Sequence, residues 1–229
     1  MSETGTYVRT GCITLDRLLE GGFRCGEVTL VYGEAATGKT NLALQASAQT
    51  VRACGKVIYV DVDQSFTYQR FHQIAPDLEE QSHNIVIFFP EFFLDQTRIF
   101  ESLEKYLIGA THLVIVDAIT TLYRAILATT GERFALNREL NRQLAYLTSL
   151  ASTHDVAVFI TSQVHARLGT PFAGVEPVAR RTLFHWPRTI IRLESTTKRN
   201  VKRAVIERYH SENRPNMMCY LTLTERGFE

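Results

Sequence analysis

Short apolar runs rich in branched residues alternate along this chain with longer stretches in which apolar positions recur every three or four residues. The first pattern predicts buried strands and the second predicts helices with one covered face. Strands are expected at 27–32, 57–60, 84–88, 113–116 and 156–160. Helices are expected at 41–52, from an Asp95 N-cap through 107, and over about 136–152, where Leu136, Leu140, Leu144, Leu147 and Ala151 share a face. Unbroken apolar strands joined by helices imply a parallel sheet covered on both sides. After Trp186 the pattern changes to strands at 189–193, 203–208 and 218–223, with a turn-like Lys198-Arg199-Asn200 between the first two. The fold class is therefore α/β: a mostly parallel central sheet flanked by helices, with an antiparallel C-terminal edge. No repeat, low-complexity tract or Pro/Gly/Ser linker divides the chain, so residues 1–229 are expected to form a single domain.

Composition narrows the class. Hydrophobic residues make up 45% and charged residues 21%, which is ordinary for a globular chain and argues against disorder. No run approaches the ~18 apolar residues of a membrane span, and the first ten residues lack the apolar core of a signal peptide. Cys12, Cys25, Cys54 and Cys219 are far apart, with no C-x-x-C pair, so reduced thiols in a cytoplasm are expected. The seven histidines show no ligand spacing. Net charge is +1, yet residues 1–120 carry 9 basic and 15 acidic side chains while residues 121–229 carry 16 and 9.

The sharpest chemical signal is Gly33-Glu34-Ala35-Ala36-Thr37-Gly38-Lys39-Thr40, which matches G-x-x-x-x-G-K-[ST] between an expected strand and an expected helix. Glycine lets the backbone curl until several N–H groups face one phosphate, and the following helix adds unpaired N–H groups and the positive end of its dipole. Lys39 would reach the β- and γ-phosphates, and the Thr40 hydroxyl would ligate Mg²⁺. Asp117 closes the run 113–117, at the strand end where open sheets place ligands, and suits a carboxylate that supports the metal. Asp61 and Asp63 follow the strand 57–60, and either could polarise an attacking water. Gln163, just past the strand 156–160, is placed to sense the γ-phosphate.

Three stretches together resemble the ATPase core of RecA-type recombinases, most nearly the short archaeal RadB group. These are 10–22 with 26–45 (the P-loop and Asn41 included), 116–124 around Asp117, and 183–194 with its Leu-Phe-His-Trp segment. The resemblance runs from about residue 8 to the end. It implies a RecA-like P-loop ATPase core with ATP and Mg²⁺ as cofactors and a role in DNA repair and recombination. It also implies two mobile DNA-contacting loops, at about 129–138 and 164–181. By the same resemblance Asp63 takes the position of the water-activating Glu, and Arg70 matches the arginine that stacks on adenine.

Three departures accompany the resemblance. Asp63 is one methylene shorter than Glu, so slow turnover is expected. Only about ten residues precede the core, leaving no N-terminal helical domain and no Phe-x-x-Ala tether, so self-made filaments are not expected. Ala179 and Arg180 replace a Gly-Gly pair, stiffening the second loop.

Residues 180–208 carry Arg180, Arg181, Arg188, Arg192, Lys198, Arg199, Lys202, Arg203 and Arg208 against Glu194 and Glu207. Such density can neutralise several phosphates. Arg180, Arg181, Lys198, Arg199, Lys202 and Arg203 are the candidate DNA contacts, and Phe172 is a candidate stacking residue. The alternative is a solvated hairpin whose cations protect a sheet edge. The expected partners are single-stranded DNA and the main recombinase of the cell, with a neighbouring copy able to complete the nucleotide site and segment 167–174 as a candidate cap. Two competing functions stay open: an ATP-switched interaction protein without useful hydrolysis, and a KaiC-like signalling ATPase.

Overall fold

The computed structural model describes residues 7–107, 109, 111–165, 176–177, 179–210, 212–213 and 217–229. A two-stranded ribbon, β1 (Tyr7–Val8) against β2 (Phe23–Arg24), brackets the short helix α1 (Ile13–Leu18). The chain then alternates: β3 (Val28–Gly33), α2 (Lys39–Arg52), β4 (Lys56–Asp61), α3 (Tyr68–Ile74), β5 (Ile85–Phe88), α4 (Phe93–Ser102) and β6 (Thr111–Asp117). Two consecutive helices follow, α5 (Thr121–Thr130) and α6 (Arg133–His154), then β7 (Ala157–His165), β8 (Glu176–Pro177) and α7 (Arg180–Leu183). The C-terminal strands are β9 (Thr189–Ser195), β10 (Val201–Tyr209), β11 (Glu212–Asn213), β12 (Met218–Thr224) and β13 (Gly227–Phe228).

Across the main sheet the order is β5-β4-β6-β7-β3-β9-β10-β12-β13. The strands from β5 to β9 are parallel, and β10, β12 and β13 each pair antiparallel with the preceding neighbour. Every parallel strand therefore delivers its C-terminal end to one rim. Register brings Gly33 beside Gln163 and Asp61 beside Asp117 there.

Two apolar layers hold the sheet. One face packs Leu42, Leu44, Val57, Tyr59, Phe71 and Ile115 under α1, α2 and α3. The other packs Leu30, Val60, Val116, Leu140, Leu144 and Ile160 under α4, α5 and α6. Strands buried on both faces cannot alternate polar and apolar positions, which is why their sequence runs are continuously apolar. None of the described helices is long and apolar enough to cross a membrane.

The structure corrects three boundaries, the first at β7, which runs on to His165 and so contains Gln163. Asp95 is not the N-cap: it lies in the first turn of α4, where its carboxylate accepts the Phe92 N–H at 3.2 Å, and the α-helix stops at Ser102 before a 3₁₀ turn to Tyr106. The first expected DNA loop, 129–138, is almost wholly helical. Gly131, with φ at +69°, ends α5, and α6 starts two residues later.

The C-terminal strand is pinned onto the helix that follows the P-loop. Gln45, buried in α2, accepts the Phe228 N–H at 2.7 Å and donates to the Phe228 carbonyl at 3.0 Å. Deleting it would leave buried backbone groups unsatisfied. Gln45→Ala is therefore expected to lower unfolding stability by about 2–4 kcal/mol, measured by denaturant titration; an unchanged midpoint would show the strand is held without it.

Candidate nucleotide site

The loop between β3 and α2 needs both of its glycines. A Cβ on Gly33 would stand 2.2 Å from the Leu193 carbonyl oxygen of β9, and one on Gly38 would stand 2.3 Å from the Phe228 ring. Gly38 also has φ at +97°, a conformation side chains resist. The cradle is thus enclosed by backbone on one side and the C-terminal strand on the other. Thr37 closes it by donating to the Glu34 carbonyl at 2.9 Å.

Lys39, the first residue of α2, is buried and folds back over the loop, donating to the carbonyls of Gly33 at 2.9 Å and Glu34 at 2.7 Å. Burial pushes its ammonium below the ordinary lysine value, while the charges of Asp117, Asp63 and Glu34 oppose that shift. A phosphate in the cradle would give this desolvated cation a stronger partner than two carbonyls.

Asp117, at the end of β6 and 1% exposed, is the hub. Its Oδ2 accepts the hydroxyls of Thr40 at 2.7 Å and Tyr59 at 3.0 Å, and its Oδ1 accepts the hydroxyl of Thr161. Burial pushes the carboxyl above its usual range, and the three hydroxyl donors pull it back. Tyr59, wholly buried, is driven well above the ordinary phenol value by burial first, so it stays a donor. Thr40 and Asp117 offer hard oxygen donors from two elements, the set that Mg²⁺ takes when a substrate phosphate and water fill its remaining positions. Among the described residues no group of three or more His, Cys, Asp or Glu side chains converges as an all-protein metal cage. The residues present therefore fit a metal carried in with a nucleotide.

The two aspartates after β4 separate cleanly. Asp61 is fully buried and accepts the N–H groups of Ser65 at 3.0 Å and Phe66 at 2.8 Å, so it shapes the loop rather than facing the rim. Asp63 lies on the rim. Its Oδ2 accepts the Gln163 amide at 3.0 Å and its Oδ1 accepts the Thr121 hydroxyl. Its backbone N–H donates to the Asp117 carbonyl at 3.1 Å, tying the two carboxylates to one scaffold. Lys39, Thr40, Asp117, Asp63 and Gln163, drawn from four strand ends, thus meet in one place.

Arg70 stands beside them on α3. Its guanidinium donates to Asn41 Oδ1 at 2.9 Å, to Gln73 Oε1 at 2.9 Å and to the Glu225 carbonyl at 2.8 Å. That fixes a flat cation between the P-loop helix and the β12–β13 turn. No sequence motif marks Tyr59, Thr161 or Thr121 as site residues. Only register, which pairs β4 and β7 with β6, brings the first two to Asp117.

The basic stretch does not assemble as one patch. Lys202 is 7% exposed and donates to Ser195 Oγ at 3.3 Å. Arg203 donates to Glu194 at 2.6 Å, and Arg192 pairs with Glu207 at 2.8 Å and also with Glu194. On a strand successive side chains face opposite ways, so Lys202 enters the covered face while Arg203 joins a cross-strand charge ladder. Lys198 and Arg199 stay exposed on the hairpin turn; Arg180 and Arg181 stay exposed on α7, with Arg180 4.5 Å over the Phe184 ring. Most of the expected second loop, with Phe172 and the candidate cap 167–174, lies outside the described residues. At its end Ala179 adopts φ of +53°, a left-handed conformation that favours glycine.

Comparison with known proteins agrees with this geometry. The Rad51 family model matches residues 3–229. The DNA repair and recombination protein RadB of Thermococcus kodakarensis is 38% identical over 224 residues, covering 96% of this chain and 97% of that one. The protein of the same name from Methanococcoides burtonii is 35% identical, covering 95% of each. A crystal structure of the RadB recombinase superposes with a TM-score of 0.78 at 36% identity, covering 96% of this chain and 98% of the other.

Asp61→Asn is expected to cost about 1–3 kcal/mol of unfolding stability and to leave ADP affinity unchanged, as read by denaturation and calorimetry. Asp63→Asn is expected to leave stability almost untouched. The reverse pattern would return Asp61 to the reacting centre.

Proposed function

Because this chain belongs to the Rad51 family of RecA-like ATPases, on its RadB branch, we propose that it is an accessory protein of homologous recombination and DNA repair that binds ATP with Mg²⁺ and turns it over slowly. The observation that carries this is the Thr40–Asp117 bond closing a glycine cradle over which buried Lys39 is folded. On this reading residues 1–229 form one cytoplasmic ATPase domain.

The P-loop backbone, residues 33–40, holds the phosphates with N–H groups at the start of α2. Lys39 would leave the Gly33 and Glu34 carbonyls for the β- and γ-phosphates, and Thr40 with Asp117 would hold Mg²⁺, which would supply charge neutralisation on the phosphates. Arg70, pre-set by Asn41, Gln73 and the Glu225 carbonyl, lies flat against the base. Asp63 accepts a proton from a water whose oxygen bonds to the γ-phosphorus as the bond to the β–γ bridging oxygen breaks, giving ADP and inorganic phosphate. Gln163, bonded to Asp63 and leading into the second loop, senses the γ-phosphate. A neighbouring copy completes the site.

Single-stranded DNA and the main recombinase are the proposed partners. The α5–α6 junction supports the first. Phe134 is 84% exposed, Arg138 follows one helical turn later, and Arg133 is exposed beside them. An aromatic face with nearby guanidinium groups suits unstacked bases and their phosphates. Exposed Arg180, Arg181, Lys198 and Arg199 are further candidate phosphate contacts, whereas Lys202 is buried and Arg203 is paired with Glu194. A second reading is an ATP-switched interaction protein without useful hydrolysis, which the short side chain of Asp63 favours.

Steady-state ATP turnover with and without oligo(dT) separates the two. Slow turnover stimulated by the strand, and abolished in Lys39→Ala, is expected. Tight ATP binding with no turnover under either condition would establish the switch instead. Asp63→Glu, which restores the missing methylene, is expected to raise kcat about tenfold, a modest part of the ~10²–10⁴-fold a placed base contributes; an unchanged or lower rate would show that reach is not what limits it.

A further inference from the structure

Asp63 is held from two sides, and one of the holders has no part in the phosphate chemistry described above. Thr121 is the first residue of α5, and its hydroxyl donates to Asp63 Oδ1 while Gln163 donates to Oδ2. A short aspartate on a rim loop would otherwise rotate freely about two side-chain bonds. Donors on both of its oxygens fix the plane of the carboxylate, and with it the direction of the lone pair left for water.

The start of α5 is itself braced. The Ile119 N–H donates to the Thr161 carbonyl at 3.0 Å, and Gln96, buried in α4, donates to the Ile119 carbonyl at 3.2 Å. Thr120 Oγ1 lies 3.0 Å from Ser162 Oγ in the buried layer below. Thr121 is therefore anchored to β7 and α4, the same scaffold that carries Asp117.

We infer that Thr121 is the positioning residue for Asp63: its hydroxyl holds the shortened carboxylate in the orientation from which it takes the proton of the attacking water. The inference rests on the hydrolytic reading given above. It assigns to a hydroxyl at a helix start the placement that a longer side chain would not need.

The test is steady-state ATP hydrolysis by the full chain with oligo(dT), for wild type, Thr121→Val, Thr121→Ala and Thr121→Ser, with ADP affinity measured by calorimetry. Valine keeps the shape and removes the donor; alanine serves if valine misfolds. The expected result is a fall in kcat of roughly tenfold in Val and Ala, part of the ~10²–10⁴-fold a placed base contributes. KM and ADP affinity should stay at wild-type values, and Ser should return kcat to near wild type. An unchanged kcat in Val and Ala overturns the inference. So does a rise in KM or a loss of ADP affinity that accompanies any fall in kcat, or a failure of Ser to restore it, since each marks a merely structural role. If wild type itself shows no turnover, the hydrolytic reading falls and takes this inference with it, whereas turnover indifferent to Thr121 leaves that reading standing.

Discussion

A buried carboxylate that accepts three hydroxyls organises this molecule. Asp117 sits at a strand end with almost no solvent, a placement that is unfavourable for a charge unless its oxygens are satisfied. Thr40, Tyr59 and Thr161 satisfy them from the P-loop helix, β4 and β7. Three elements far apart in sequence are thereby tied at one rim of the sheet. Two of these hydroxyls belong to the scaffold. The third, on Thr40, belongs to the first turn of the P-loop helix, so on the proposed reading the hub could exchange one partner for a metal and keep the other two.

The rest of the rim follows from parallel topology. Because β3, β4, β6 and β7 run the same way, their C-terminal residues gather without any long-range design of the loops. Lys39, Asp63 and Gln163 come to Asp117 for that reason. The C-terminal edge contributes in a different way. Phe228 packs on Gly38 while Gln45 grips its backbone, so the antiparallel strands seal the back of the phosphate loop. Arg70 reaches the same edge through the Glu225 carbonyl, which links α3 to the β12–β13 turn.

Much of this was legible in the amino-acid sequence, and the failures have physical causes. Continuous apolar runs marked the buried strands, and the spacing of glycines, Lys39 and Thr40 marked the loop, because both patterns are local. The helix α5 is not among the expected elements although Leu122, Tyr123, Ile126 and Leu127 repeat at helical spacing and Gly131 ends the repeat; the expected loop at 129–138 came from the family resemblance and not from the residue pattern. Only the family resemblance separates Asp61 from Asp63 in the sequence, because their difference is one of direction, inward to the Ser65 and Phe66 amides or outward to the rim. The density of cations in 180–208 misled for a related reason. Charge counted along a strand ignores the alternation that turns Lys202 into the covered face and sets Arg203 against Glu194. Exposed charge on helices and turns, as at Arg180, Arg181, Lys198 and Arg199, is the part of that count that survives folding.

The central claim, that Asp117 and Thr40 form the metal side of a nucleotide site, is tested most directly by calorimetry of ADP with and without magnesium. The full chain is compared with Asp117→Asn, which keeps the size of the side chain and removes its charge. Magnesium should tighten ADP binding in the native chain and have little effect in the variant, with metal-free affinity alike in both. Equal tightening by magnesium in the two proteins would contradict the account.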